Sequence, residues 1–140
     1  IGAKESGSQF GYQFLAGMYR AIAALAEAGI NVIVDDVIYD EQVLRSAVEA
    51  FRTCDVFLVG IRCPVEVAER RERERGNRAQ GGARTFGPLV HRHAIYDLEV
   101  DSAALSAAEC AEKIKQALRV GTKPDALARL ADRLAVFGKT

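Results

Sequence analysis

The chain has 140 residues, 49% of them hydrophobic and 27% charged, which is ordinary composition for one globular unit. At that length a single core buries roughly two-thirds of the unfolded surface, so no disulfide or metal is required to hold it. Nineteen Lys and Arg balance nineteen Asp and Glu. That excludes a chain-wide basic field for nucleic acid or anionic lipid, and no apolar run is long enough to span a bilayer.

The chain opens on Ile1, and the stretch to Gln9 has neither a signal-peptide core nor the pattern of a first strand. Phe10, Phe14, Leu15, Met18, Ile22 and Leu25 recur at helical spacing, with Gly29 as a stop. Asn31 to Ile38 reads as a short β-branched strand carrying Asp35 and Asp36. Asp40 is placed to cap a helix whose apolar face is Val43, Leu44, Ala47, Val48 and Phe51. Val56 to Ile61 is continuously apolar, as in a parallel strand covered on both faces. Pro64 opens a charged helix to about Arg75, followed by a Gly-rich, Arg-containing connection from Gly76 to Pro88.

Ala94 to Val100 alternates, with Tyr96, Leu98 and Val100 on one face, and predicts a half-exposed strand near a sheet edge. Ser106 and Glu109 form a capping box ahead of a helix with Cys110, Ile114, Ala117 and Leu118. Pro124 starts a last amphipathic helix carrying Leu127, Leu130, Ala131 and Leu134, a packing or dimerising element. Strands alternating with helices predict an α/β fold with a three-layer parallel sheet. Three strands are few for such a sheet and the first element is a helix, so its front is expected to be missing: an N-terminally truncated domain.

Three features could carry chemistry. In open parallel sheets ligands bind beyond the carboxyl ends of the strands, where Asp35 and Asp36 are expected. An apolar strand ending in an acid is the Walker B arrangement, in which the carboxylate holds Mg²⁺ directly or through water. A receiver domain shares the paired acids but needs a phosphoacceptor Asp where Gly60 stands, which sets that reading aside. Next comes Arg70 to Arg78. The spacings Glu66–Arg70, Glu69–Arg73 and Glu74–Arg78 predict ion pairs along one helix. Arg71, Arg75 and Arg78 fall on one face if the helix continues, a stack of like charges that an anion would relieve. A phosphate lid, a solvated surface helix and an RNA contact are all open for this segment, the last disfavoured by the interleaved glutamates.

The third feature is a decoy. Gly2 to Gly7 has phosphate-loop spacing, but Ser8-Gln9 follows where Lys-Ser/Thr is needed. His91 and His93 alternate without a visible third metal ligand and read as hydrogen-bonding loop residues. Cys54, Cys63 and Cys110 are odd in number and widely spaced, which predicts free thiols in a reducing cytoplasm.

The stretch Gly29-Ile-Asn-Val-Ile-Val-Asp-Asp-Val, then Asp55 to Cys63, resembles the chloramphenicol phosphotransferase-like family. So do Val67-Ala-Glu-Arg-Arg-Glu-x-x-Arg-Gly-Asn-Arg78 and His91-x-x-x-x-Tyr-Asp-x-Glu-Val-Asp101, and the match runs from about Phe10 to about Leu118. The resemblance implies a P-loop kinase fold that transfers the γ-phosphoryl of ATP, with Mg²⁺, to a hydroxyl of a small molecule, a chloramphenicol-like antibiotic being one candidate. It implies Asp35 and Asp36 as the Mg²⁺ (Walker B) pair, Arg75 and Arg78 as catalytic lid arginines, and Arg71 and Arg62 as nucleotide or phosphate contacts. The family's phosphate loop and its substrate-activating acid would lie ahead of Phe10, in a front of about 30 residues or more. Residues 1–120 are then the C-terminal part of the phosphotransferase domain, with a lid at about 64–90, and 121–140 an additional helix. The 140 residues alone are expected to be inactive. The partners expected are a nucleotide and a small-molecule alcohol, with no membrane, nucleic acid disfavoured and a homo-oligomer open. The alternatives are a non-catalytic, dimerising relic of a kinase and an Arg-rich RNA-contacting module.

Overall fold

Ser8 takes extended backbone and accepts a hydrogen bond from Gly11 N at 3.1 Å, which opens α1 (Gln9–Glu27). The computed structural model describes residues 8–76, 79–121 and 123–137. Asp40 caps α2 (Glu41–Ala50) through Val43 N at 2.8 Å, as its position predicts. β1 (Val59–Arg62), α3 (Val65–Arg75), α4 (Gly82–Phe86), β2 (Leu98–Asp101), α5 (Ala107–Val120) and α6 (Ala126–Phe137) follow. Pro64 is the cap of α3 and not its first residue, and the Gly-rich connection contains the short helix α4. The capping box of Ser106 and Glu109 forms as read, and α5 ends on Gly121, whose φ of 71° suits a residue without Cβ.

β1 and β2 pair in parallel, with Val59 opposite Leu98, Gly60 opposite Glu99, Ile61 opposite Val100 and Arg62 opposite Asp101. This confirms the α/β class and the parallel pairing, but among the described residues the sheet has two strands. The expected third strand, 31–38, is not formed. A strand needs a neighbour to take up its backbone groups, and this run has none among the described residues. Ile30, Val32, Ile33, Val34 and Val37 all remain exposed, Ile33 at 99%.

The core is organised around α2, which is buried on two sides. Val43 and Ala47 pack with Tyr19 of α1, while Leu44 and Val48 pack with Leu130 and Leu134 of α6. α6 is therefore a packing element. Ile38, Leu58 and Ile95 close the second cluster and bring the starts of both strands to it. α1 corrects the sequence reading. Its packed face is Tyr12, Leu15, Tyr19 and Ala23, whereas Phe10, Phe14 and Leu25 are exposed. Tyrosines win that face because their hydroxyls reach carboxylates on the segment beside them, Tyr12 to Asp40 Oδ2 at 2.6 Å and Tyr19 to Asp36 Oδ2.

Asp97 fixes α6 to the sheet. Its Oδ2 accepts from Leu58 N at 2.8 Å, and its Oδ1 from Asp125 N and Ala126 N at 2.8 and 3.0 Å. Further along, Arg133 donates to the His93 carbonyl at 2.6 Å. Asp97→Ala leaves three backbone donors short of an acceptor and is expected to cost about 2–4 kcal/mol. Leu130→Ala, at a fully buried position, is expected to cost about 2–5 kcal/mol. Chemical denaturation of the two variants beside the parent chain checks both.

Candidate functional site

The carboxyl ends of the two strands meet in a polar knot. Ser102, just past β2, donates from N and Oγ to the Arg62 carbonyl at 2.9 and 3.1 Å. Arg71 of α3 donates to the Ser102 carbonyl at 2.6 Å, to its Oγ at 3.2 Å and to Cys63 Sγ at 3.8 Å. The structure thus brings two of the predicted phosphate contacts, Arg62 and Arg71, to the end of a parallel sheet where ligands bind. Arg71 already serves a structural role there, holding α3 against β2.

Arg62 is likewise engaged. Its Nε donates to Glu99 Oε1 at 2.6 Å, and its guanidinium lies 5.5 Å from the centre of the Tyr96 ring. Gly60 makes room for that ring: a Cβ at residue 60 would meet Tyr96 at 2.7 Å. His91 and His93 pack edge-on to the same tyrosine, and His91 Nδ1 lies 2.7 Å from its hydroxyl. The histidines are packing and hydrogen-bonding residues, as their sequence context predicts.

Arg75 stands one turn beyond Arg71 on α3, about 6 Å further along the axis. It is exposed and has no hydrogen-bond or ion-pair partner among the described residues. Arg78 lies outside the described residues. The helix ends at Arg75 on Gly76, in the left-handed region at φ 63°, so the predicted continuation of α3 through Gly76 does not form. The two basic side chains of the last turn, Arg73 and Arg75, sit at the negative end of the helix dipole.

Sequence reasoning missed how the segment after α3 is held. Glu69 pairs with Arg84, Oε1 to Nε at 2.6 Å, and not with Arg73; the Glu66–Arg70 pair is replaced by Arg70–Glu74 at 4.0 Å. Glu72 accepts from Gly81 N, Gly82 N and Ala83 N at 2.9, 2.9 and 3.3 Å. Both carboxyls are held below the usual range, Glu69 chiefly by Arg84 and Glu72 chiefly by the Gly81 amide. The i,i+3 spacing of the two acids on one face was the available signal, since both face the same returning segment.

Asp35 and Asp36 differ in their partners. Asp36 turns onto α1, taking the Tyr19 hydroxyl on Oδ2 and its neighbour Val37 N on Oδ1 at 2.7 Å. Burial, first, and the bond to Asp36 push the Tyr19 hydroxyl well above its ordinary pKa; the Tyr12 hydroxyl, bonded to Asp40, is pushed up to about 12. Asp35 is exposed and has no hydrogen-bond or ion-pair partner among the described residues. No ion pair joins either acid to an arginine of the lid among those residues. An open cleft of about 280 Å³ lies elsewhere, at the amino ends of the strands, between Val48 and Arg52 on one side and Leu127 and Asp132 on the other.

His93 is 6% exposed, and its Nε2 is the buried side-chain polar atom without a partner among the described residues. Burial, assisted by His91, Arg133 and Arg62, lowers its pKa to about 4. Between pH 4 and 6.5 the unfolded chain therefore binds a proton that the folded chain refuses, so stability falls as pH drops through that window. The loss is expected to reach about 3 kcal/mol. Denaturation midpoints measured from pH 7 to pH 4 check it, and His93→Leu should flatten the slope.

The chloramphenicol phosphotransferase-like family matches residues 2–119. Two Mycobacterium tuberculosis proteins, from strains CDC 1551 and H37Rv and each named "Putative O-phosphotransferase", are 38% identical to this chain over 115 residues. The alignment covers 82% of this chain and 51% of each relative, so the chain spans about half their length. No solved structure matches the chain. No helix among the described residues is long and apolar enough to cross a membrane.

Proposed function

The chain belongs to the chloramphenicol phosphotransferase-like family, and on that premise we propose that it forms part of a kinase-type O-phosphotransferase, moving the γ-phosphoryl of ATP to a hydroxyl of a small molecule. The observation that carries this reading is the pairing of an engaged with an unengaged arginine on one helix. Arg71 locks α3 to the carboxyl end of β2, and Arg75, one turn on, has a guanidinium without a partner among the described residues. A rigid fork held beyond the sheet by a docked helix suits phosphate oxygens. Arg78, three residues on, is the second arginine of the reading, and Arg62, although paired with Glu99, lies at the same strand end.

Toward Mg²⁺ the described residues offer one exposed carboxylate without a partner among them, Asp35. That ion keeps several waters and takes one or two carboxylates besides substrate phosphates. Asp35 alone does not make a metal site, since no group of three or more His, Cys, Asp or Glu that could hold a metal occurs among the described residues; it is one exposed carboxylate, and the remaining contacts would fall to the nucleotide and water. Mg²⁺ bound with the nucleotide would neutralise charge on the phosphate oxygens. Asp35 would supply its carboxylate contact, while Arg75 and Arg78 orient the transferring group.

The exposed run of Ile30, Val32, Ile33, Val34 and Val37 supports a larger parallel sheet in the whole protein, because apolar side chains on both sides of one strand are the mark of a strand covered on both faces. The phosphate loop belongs to that larger unit, since these 140 residues contain no Gly-x₄-Gly-Lys-Ser/Thr. The acceptor is a small alcohol, with chloramphenicol, whose name the family carries, the first to test.

The experiment is transfer of label from [γ-³²P]ATP to a panel of small alcohols, by the whole protein and by the 140 residues alone. ATP-dependent transfer is expected from the whole protein and not from the 140 residues. Arg75→Ala together with Arg78→Ala should lower turnover by about 10³-fold or more with the denaturation midpoint nearly unchanged. Full turnover by that double variant, or absence of any transfer from ATP by the whole protein, overturns the reading.

A further inference from the structure

The face of β1 that carries Arg62 lacks a side chain two residues earlier. Residues two apart on a paired strand share a face, so residues 60 and 62 lie on one side of β1, and residue 60 is a buried glycine. The Tyr96 ring fills that space. Three of its carbons lie within 2.9 Å of the point where a Cβ at residue 60 would stand. Glu99 stands opposite Gly60 in the register and reaches Arg62 from there.

The ring is bracketed as well as seated. His93 meets it edge-on at 4.9 Å between ring centres and His91 at 5.8 Å, with His91 Nδ1 2.7 Å from the phenol oxygen. The Arg62 guanidinium lies over the ring, 5.5 Å from its centre. Glu99 accepts from Arg62 Nε at 2.6 Å and pairs with Nη2. A guanidinium has five N–H donors, and Nη1, which carries two of them, has no partner among the described residues. One edge of the group is thus held by a carboxylate and its face by an aromatic ring, at the carboxyl end of a parallel strand. A long side chain fixed in this way before a ligand arrives loses less freedom on binding it.

We propose that Tyr96 is a positioning residue for the strand-end arginine: its ring, standing in for a side chain at residue 60, holds Arg62 so that Nη1 is left for a phosphate oxygen of the nucleotide. This rests on the reading of Arg62 as a nucleotide contact in a phosphotransferase. The ring face is the working part. A phenyl ring in the same seat keeps it, whereas an aliphatic side chain fills the seat and offers no face to the cation. The glycine belongs to the device, because a Cβ at residue 60 would push the ring from its place.

The test is calorimetric binding of ATP, inorganic triphosphate and adenosine to the whole protein. Tyr96→Leu should weaken ATP and triphosphate about three- to tenfold and leave adenosine unchanged, a split that general loosening of the fold does not give. Tyr96→Phe should stay within about twofold of the parent for all three. In an Arg62→Ala background Tyr96→Leu should cost nothing further, since the ring acts through that guanidinium. Tyr96→Met carries the same expectations where the leucine variant does not fold. If Arg62→Ala weakens ATP while the aliphatic variant leaves it at the parent value, the positioning role is wrong and the Arg62 contact stands. Equal weakening of adenosine by the aliphatic variant also overturns it. If Arg62→Ala leaves ATP affinity unchanged, the contact and the positioning role fall together, and the phosphotransferase reading is decided by the transfer assay. A parent protein that binds no ATP overturns both.

Discussion

One carboxylate, Asp97, joins three segments that are far apart in the chain. It sits at the start of β2, holds the start of β1 through Leu58 N, and receives the first two amides of the turn into α6. An acceptor at a helix N-terminus satisfies amides that have no partner inside the helix and lies at the positive end of its dipole. With that end pinned, Leu130 and Leu134 are fixed over Leu44 and Val48. The position of α2 follows from α6, and that of α1 follows from α2 through Val43, Ala47 and Tyr19. A two-stranded sheet is marginal alone. Here its stability comes from helices whose placement begins at one side chain.

The candidate site inherits its geometry by two separate routes. Arg62 and Arg71 are placed by the sheet itself, through Ser102 at the end of β2. Asp35 and Asp36 are placed by helices, because the run that carries them has no ladder and depends on the Tyr12 and Tyr19 ties to α1. Side chains on a paired strand are held by regular backbone bonds on both sides, whereas those on an unpaired run are held by whatever side chains reach them. Asp36 is therefore held by a side chain of α1, whereas Asp35 has no partner among the described residues. The segment of α3 and α4 is likewise held by side chains. Glu69 and Glu72 fold the segment around α4 back onto α3, while Arg75 has no partner among the described residues.

Local chemistry was legible in the sequence wherever a residue and its partner lie within one turn. The caps at Asp40 and Ser106 and the stop at Gly121 formed as their spacing predicts. The parallel pairing of the two central apolar segments was legible too, from their alternation with helices. What failed depended on distant partners. On α1, Leu15 and Met18 pack as read, but Phe10, Phe14 and Leu25 are exposed, and Tyr12 and Tyr19 join the packed face because carboxylates wait on the neighbouring segment. Glu69 was read toward Arg73 by i,i+4 spacing, but Arg84, fifteen residues on, offers a two-pronged contact through Nε and Nη2. The run 31–38 was read as a strand from composition, and composition says nothing about whether a neighbouring strand is present.

The zero net charge has a different meaning once the partners are known. Arg45, Arg62, Arg70, Arg84, Arg119 and Arg129 each meet a carboxylate, and Arg71 and Arg133 are spent on backbone carbonyls. Part of the positive charge is thus locally compensated, and what matters is where compensation stops. Several exposed arginines have no partner among the described residues, Arg73 and Arg75 both included. Arg73 still feels Glu69 beside it. Arg75 differs in standing one turn past a helix anchor at the carboxyl end of a parallel sheet, where the field of an uncompensated cation meets the place ligands approach. A neutral chain can hold a strongly anionic group when its uncompensated charge is placed and not merely present. Helix α3 places its charge in that way: Arg71 is an anchor, and Arg75, one turn on, has no partner among the described residues.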